Sequence, residues 1–189
     1  MESRAKLFGH PIHQMLIVFP LGLLATAVVF DVIGLFRADG VWELMAYYLI
    51  ATGVVTGLVA AVFGAIDYFA IPGGTRAKYI GTMHGVGNVA VVALFGASWL
   101  LRRPEPGNPP FEALLFSFLG VLLAVATGWL GGELVARLGI GVDEGAHVNS
   151  PSSLSGRPAG ENRSIAGFNG PERRYGAAAA YAGAERRAR

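Results

Sequence analysis

The sequence predicts an all-α membrane protein, with four transmembrane helices in an up-down antiparallel bundle and a disordered C-terminal tail. Three observations lead to this prediction. Hydrophobic residues make up 53% of the 189-residue chain and charged residues only 15%, which is too apolar for an ordinary soluble domain of this size. Four apolar segments are each long enough to cross about 30 Å of hydrocarbon. Beyond residue 142 the composition changes to Gly, Ser, Pro, Ala and Arg.

The first predicted span covers residues 12–36. Arg4 and Lys6 precede it, as in a secretory signal peptide, but the apolar run has no small-residue cleavage site and contains Asp31. We therefore interpret it as a retained span. Pro20 should bend this helix, because proline lacks the N–H that the helix would use there.

The other three spans are predicted at residues 44–71, 83–101 and 111–135. Gly- and Pro-rich turns separate them, at residues 37–40, 72–76 and 102–110. Connections this short place consecutive helices side by side and antiparallel. The second span contains a GxxxG spacing at Gly53 and Gly57, which favours either tight packing inside the bundle or homodimerisation.

The positive charges beside the spans predict that both termini lie in the cytoplasm, which for a bacterial protein would place the bundle in the inner membrane. Five Lys and Arg residues flank the spans on one side and three on the other, and the richer side is the cytoplasmic one. The two groups are Arg4, Lys6, Arg76, Lys78 and Arg137 against Arg37, Arg102 and Arg103. The domain boundary falls at residue 142, and residues 143–189 form a cytoplasmic tail too polar to build a core.

Several functional classes are excluded by residue content. The chain has no cysteine, so disulfides, thiolate metal sites and cysteine catalysis are excluded. No nucleophile elbow, P-loop, Rossmann glycine pattern or HExxH zinc helix is present, and these absences favour a non-catalytic module over an enzyme. The basic residues concentrate in the tail without interleaved aromatic residues, so no nucleic-acid partner is predicted.

Ionisable residues at membrane depth are the main functional signal, since each costs about 3 kcal/mol to insert. Histidines open the first and third spans, and carboxylates close the second and fourth. An up-down bundle brings all of these ends to one membrane face. Imidazoles and carboxylates are ligands for transition metals, and two imidazoles can ligate a haem iron. The predicted metal or haem ligands are His10, His13, Asp67, His84 and Glu133, with Asn88 beside them.

Purely structural roles for the same residues are the alternative to this prediction. Histidine and aspartate near an interface can hydrogen-bond each other or cap helix ends, and Glu133 can pair with Arg137 four residues later. Asp31 lies five helical turns after His13, about 27 Å away, so one site cannot hold both. We expect Asp31 to form a salt bridge with Arg37, Arg102 or Arg103; a proton relay joining the two faces is the alternative.

The motifs resemble a known family. His-Pro-Ile-His at positions 10 to 13, Phe19-Pro20, Asp31, Asp67, His84 and the closing glycine-rich run from Gly131 to Val142 are similar to the bacterial membrane family called domain of unknown function 2231. The resemblance covers residues 8–142 and implies a small prokaryotic four-helix membrane protein of unassigned activity.

Some relatives are joined to Rieske-type iron-sulfur modules, which implies redox or haem-linked work and a redox membrane partner. Relatives can carry histidine at the place of Glu133 and near Leu138, so the resemblance argues against two haems here. This chain has no Rieske motif, and such a cluster would come from a partner.

Three functional hypotheses follow. The first is a module, auxiliary to redox chemistry, that binds a transition metal ion or haem b through the residues above. The second is a small proton-conducting or transport module that uses Asp31, Asp67 and the histidines as relay groups. The third is a structural membrane subunit that binds a partner protein.

Overall fold

The computed structural model describes residues 1–37 and 39–161, and within them four helical spans are long and apolar enough to cross a membrane. The predicted four-helix membrane fold is confirmed. A short antiparallel pair of strands, β1 (Lys6–Leu7) and β2 (His10–Pro11), precedes the bundle. The helices are α1 (Ile12–Leu16), α2 (Val18–Gly34), α3 (Val41–Ala70), α4 (Arg76–Arg102) and α5 (Phe111–Ala136).

The apolar residues of these helices mostly face outward. Between 17% and 22% of each apolar window is buried inside the chain, and side chains such as Phe69, Val125 and Trp129 are exposed. In water such a surface would drive aggregation, whereas lipid solvates it. Helices satisfy their own backbone hydrogen bonds, as hydrocarbon requires.

The first span consists of two helices, because Pro20 interrupts it. Proline has no N–H to donate to the carbonyl four residues earlier, here that of Leu16, and its ring crowds that carbonyl. The helical assignment breaks at Ile17, directly after Leu16. The helical assignment is therefore interrupted three residues before the proline, and the bend itself stays a prediction.

The third span begins at Arg76, seven residues earlier than predicted. Thr75 caps it: its hydroxyl accepts a hydrogen bond of 3.1 Å from the backbone N–H of Lys78. Hydropathy locates only the apolar part of a helix, and here about two more polar turns precede that part. The remaining span ends differ from prediction by three residues or fewer.

The helices form two hairpins. In the first, which we call hairpin A, α2 packs extensively along α3; in the second, hairpin B, α4 packs along α5. The smaller contacts between hairpins are those of α3 with α4 and of α2 with α5. The cyclic order is therefore α2, α3, α4, α5, which places the first and third spans on a diagonal.

The GxxxG glycines pack within the chain. Gly53 lies directly beneath Leu24, and Gly57 faces Pro20 and Val92. Small residues allow helix backbones to approach closely, which is how packing contributes to association in lipid. These contacts agree with the first of the two alternatives for this motif, tight packing inside the bundle.

Residues 139–161 contact the N-terminal segment. The Met1 ammonium donates to the Gly139 carbonyl at 2.9 Å, and the Gly141 N–H donates to the Met1 carbonyl at 2.9 Å. Residues 143–161, where the sequence predicts the start of a disordered tail, form turns and one 3-10 turn at Ser153–Ser155. The rest of that predicted tail, residues 162–189, lies outside the described residues.

Candidate functional site

His13 lies at the start of the first span and is fixed by the second. Its Nδ1 atom is 2.9 Å from the carbonyl oxygen of Ala60. A carbonyl oxygen only accepts hydrogen bonds, so Nδ1 carries the proton and Nε2 carries the lone pair. Gly64 makes room for the ring, since a Cβ there would lie 2.9 Å from the imidazole.

His84 has the same arrangement in the other hairpin. Its Nδ1 atom is 2.9 Å from the carbonyl oxygen of Thr127, so this imidazole is also the Nδ1–H tautomer. Gly131 provides the space beside it, because a Cβ there would lie 3.0 Å from the ring. Both histidines thus present Nε2 as an unprotonated nitrogen.

The two imidazoles face each other across the bundle. Their ring centroids are 6.4 Å apart and their planes are nearly perpendicular, at 87°. Ala60 and Thr127 lie ten and nine residues before the ends of their helices, about 14 Å inside the bundle at 1.5 Å per residue. The histidine pair therefore lies well inside the helical layer.

Asn88 contacts His84 over the face of its ring. The amide nitrogen is 3.3 Å from both ring nitrogens and donates to the His84 carbonyl at 2.8 Å. An atom equally far from both nitrogens at this distance cannot lie in the ring plane without overlapping a ring carbon. The in-plane lone pair of Nε2 is therefore left open. Thr127 holds the amide from the other side, with its hydroxyl 3.2 Å from Asn88 Oδ1.

Asp67 holds the N-terminal segment instead of joining the histidines. The Ser3 hydroxyl lies 2.7 and 2.8 Å from its two carboxylate oxygens, and the N–H groups of Arg4 and Ala5 donate to Oδ1 at 2.8 and 3.4 Å. Three donors at one carboxylate account for its presence at a helix end. Asp67 thus fixes the segment that leads into His13.

The two remaining predicted ligands also lie apart from the pair. His10 is exposed, and its Nε2 lies 3.3 Å from the Ser153 hydroxyl. Glu133 accepts a hydrogen bond of 2.6 Å from Arg76. Its ion pair is therefore with Arg76 and not with Arg137, the alternative partner that the sequence offered, because the two additional turns at the start of α4 bring Arg76 beside Glu133.

The predicted set of five ligands does not converge. Across residues 1–37 and 39–161, no group of three or more His, Asp or Glu side chains is placed to hold a metal ion. The structure brings His13 and His84 together and leaves His10, Asp67 and Glu133 with other partners. The candidate site is thus a pair of imidazoles with Asn88 beside one of them.

A second polar cluster is buried toward the other end of the bundle. Arg102 donates from both terminal nitrogens to the carboxylate of Asp31, at 2.8 and 2.7 Å, and both side chains are fully buried. Ser117 donates to the same carboxylate at 2.9 Å, and Ser98 accepts from Arg102 Nε at 3.2 Å. The predicted salt bridge of Asp31 is confirmed, with Arg102 as its partner.

Sequence reasoning missed the serines of this cluster. Ser98 and Ser117 carry no motif, and single hydroxyl groups are common in membrane helices because they can bond to their own helix backbone. Their only sequence signal is position: Ser98 lies one turn before Arg102 on the same helix face.

An ion network lies outside the spans, at the end of the bundle where the first span begins. Lys6 is bonded to Glu2 at 2.7 Å and also to Asp143. The hydrogen bond from Lys6 lowers the pKa of Glu2 below its ordinary value, and the bonds to Asp143 and Glu2 raise the pKa of Lys6. This network ties the N-terminal segment to the segment after α5.

Comparison with known proteins gives one family. The model of a family described as predicted membrane protein, DUF2231, matches residues 9–144. This range contains all four spans, the histidine pair and the buried ion pair. No curated protein matches the chain, and no solved structure matches it.

Proposed function

Starting from a chain that belongs to the DUF2231 family of predicted membrane proteins, we propose that its bundle binds haem b through His13 and His84. The observation that carries the proposal is that the two imidazoles are held by the same kind of hydrogen bond and in the same tautomer. Each donates its Nδ1 proton to a helix carbonyl at 2.9 Å, which leaves Nε2 as the nitrogen with a lone pair for a ligand. Histidines that bind metals nearly always have this second hydrogen bond, which fixes their tautomer and orientation.

The number of donors favours haem over a free metal ion. Zinc takes four ligands in structural sites and at least three protein ligands in catalytic sites. Among the described residues the site offers two imidazoles and no carboxylate. A haem iron needs only axial ligands from the protein, because the porphyrin supplies the others.

The spacing of the rings fits one metal centre between them. A metal ion bonded to two imidazole nitrogens at about 2 Å holds the ring centroids roughly 6 Å apart. The observed separation is 6.4 Å. When bound, the haem would supply one-electron transfer.

The chain's own residues would orient and shield this centre. The carbonyls of Ala60 and Thr127 hold the imidazoles in one tautomer, and Gly64 and Gly131 admit the rings between helices. Asp67 fastens the N-terminal segment that leads into His13. The site would lie toward the cytoplasmic side of a bacterial inner membrane, where a membrane redox partner would exchange electrons with it.

The transport alternative receives less support from the geometry. A relay through Asp31 requires a carboxylate that can take up and release protons. Here that carboxylate accepts two bonds from Arg102 and one from Ser117, so both of its oxygens are engaged by fixed partners within the buried cluster. It also lies about 27 Å along the helix from His13.

The test is a spectrum of the full chain purified in detergent from haem-supplied cells. We expect a haem to protein ratio near one and a low-spin visible spectrum. His13→Ala and His84→Ala should each abolish that spectrum. His10→Ala is the matched control and should keep it, because the His10 side chain is exposed and contacts the Ser153 hydroxyl away from the histidine pair. A colourless protein that takes up no added hemin would refute the proposal.

A further inference from the structure

We infer that the chain is a duplicated helical hairpin, in which hairpins A and B each supply one equivalent half of the histidine site. The inference deepens the proposed function, on which it rests for the nature of the ligand. The duplication itself stands on packing and spacing alone.

The two histidines occupy the same place in their hairpins. His13 on the first helix of hairpin A bonds the carbonyl of Ala60 on the second, and His84 on the first helix of hairpin B bonds the carbonyl of Thr127 on the second. In both hairpins a glycine four residues after the accepting residue admits the imidazole ring. Donor atom, acceptor atom, distance and neighbouring glycine all agree.

One spacing relates the first helices of the hairpins. His84 follows His13 by 71 positions, and Arg102 follows Asp31 by the same 71. These pairs lie about 27 Å apart along the helices. A shared spacing at both ends means that α4 between His84 and Arg102 repeats the register of the first span between His13 and Asp31.

A second spacing, of 67 positions, relates α3 to α5. It connects Ala60 with Thr127, Gly64 with Gly131, and Gly53 with Gly120. The histidine and its carbonyl are 47 residues apart in hairpin A and 43 in hairpin B. The difference of four residues lies in the loop that joins the two helices of each hairpin. Gly40 and Gly107, which lie in these loops, are also 67 positions apart, so the loop is shorter before Gly107 than before Gly40. A shortened loop leaves the helix faces unchanged.

The same register appears in the apolar packing. A Cβ added to Gly53 would lie 2.6 Å from Leu24, and one added to Gly120 would lie 2.8 Å from Phe95. Phe95 follows Leu24 by 71 positions. Three further equivalent pairs are fully buried at both members: Ala27 with Ser98, Ala46 with Ala113, and Ile50 with Ser117.

Contacts between equivalent residues define a two-fold axis, because such residues meet only where the axis passes. Three such contacts lie along the bundle: His13 with His84, Asp31 with Arg102, and the glycines of the two hairpin loops. A Cβ on Gly40 would lie 3.0 Å from the Gly107 carbonyl oxygen, and one on Gly107 would lie 3.2 Å from that of Gly40. The axis therefore runs along the bundle.

Such an axis fits insertion into a membrane. A repeat unit of two helices begins and ends on the same side, so both copies insert in the same orientation and are related by an axis along the membrane normal. The two copies have diverged at most equivalent positions, for example Asp31 and Arg102. This divergence turned a symmetric contact into an ion pair.

The symmetry narrows the class of ligand. Two equivalent imidazoles that approach from opposite sides fit a planar metal macrocycle, which offers the same axial position on both faces. The half-sites differ at one polar position, because Asn88 beside His84 corresponds to Ile17 in hairpin A. The histidine pair itself favours a ligand that offers the same coordination position to each imidazole.

The duplication is tested by exchanging the two ionised residues in the full chain. Asp31→Arg alone and Arg102→Asp alone each bury two like charges and should lose most of the monodisperse protein. The exchange also transfers the serines: Asp31→Arg, Arg102→Asp, Ala27→Ser, Ser98→Ala, Ile50→Ser and Ser117→Ile. Because the positions are equivalent, the sixfold variant should rebuild the cluster on the other hairpin and recover most of the monodisperse fraction and unfolding temperature.

A sixfold variant no more stable than the single reversals overturns the duplication, and failure to fold counts as that result. The ligand is tested separately with His13→Met and His84→Met, which should give the same mixed-ligand haem spectrum. Unequal spectra would overturn the equivalence of the half-sites. A protein without haem would refute the proposed function while leaving the charge exchange informative.

Discussion

Arg102→Met should destabilise the protein strongly, because it leaves the Asp31 carboxylate buried without its counterion. Both side chains are fully buried, and two hydrogen bonds of 2.8 and 2.7 Å join them. After the substitution only Ser117 still donates to the carboxylate, at 2.9 Å. One neutral hydroxyl cannot replace a bidentate guanidinium.

The expected loss is about 3–5 kcal/mol in the free energy of unfolding, the usual effect of removing one partner from a buried ion pair. The double variant Asp31→Leu with Arg102→Met should regain wild-type stability or exceed it, since apolar replacement removes the desolvation cost of both charges. Arg76→Met is the matched control. It breaks an ion pair whose arginine side chain is 58% exposed, and such pairs contribute at most about 1 kcal/mol.

The assay is SDS titration in mixed micelles, followed by tryptophan fluorescence. Equal losses for Arg102→Met and Arg76→Met would refute the reasoning, because burial would then have no effect on the strength of the pair. A double variant as unstable as Arg102→Met would show that the volume of the arginine matters more than its charge.

Three further predictions concern the packing beside His84, the anchoring of the N-terminal segment by Asp67, and the ion pair of Glu2 with Lys6. Gly131→Ala places a Cβ 3.0 Å from the His84 ring and should lower both the unfolding temperature and the haem content. Gly132→Ala, with nothing within 4 Å of its added Cβ, should raise stability by up to about 1 kcal/mol through helix propensity; equal effects at the two glycines would contradict the packing argument. Asp67→Asn should weaken the hold on residues 1–11, seen as faster hydrogen exchange there; unchanged protection would argue against an anchoring role. The pKa of Glu2 is lowered by Lys6, so its contribution to stability is present above the ordinary value of 4.5 and is lost as pH falls through the lowered pKa. A spin label in the N-terminal segment should therefore become more mobile in acid, and Lys6→Met should remove this pH dependence.

Sequence reasoning located the histidine pair but not its surroundings. The opening of the first and third spans by histidine, together with up-down topology, was enough to bring His13 and His84 to one side of the bundle. The same topology brings Asp67 and Glu133 to that side, yet each is bonded to a local polar group. Which donor reaches a carboxylate depends on helix rotation and on an N-terminal segment whose path no periodicity encodes.

The tautomers required coordinates. Sequence spacing gives no sign that Ala60 and Thr127 would accept from the imidazoles, because a backbone carbonyl is available at every residue. Only the depth and rotation of two neighbouring helices decide which carbonyl meets the ring. The consequence, two imidazoles of matched tautomer with ring centroids 6.4 Å apart, is what turned a set of ionisable residues into a defined site.

The amino-acid sequence alone determined the number of spans, their order and their approximate ends. Hydrocarbon accepts only helices of about 20 apolar residues and short polar turns between them, and both features can be counted along a chain. Tertiary structure alone decided which arginine pairs with Asp31, which carbonyls bond the imidazoles and how the hairpins are related. A few equivalent positions carry the same residue but others differ in side-chain chemistry, so the equivalence becomes visible only when the helices are packed together.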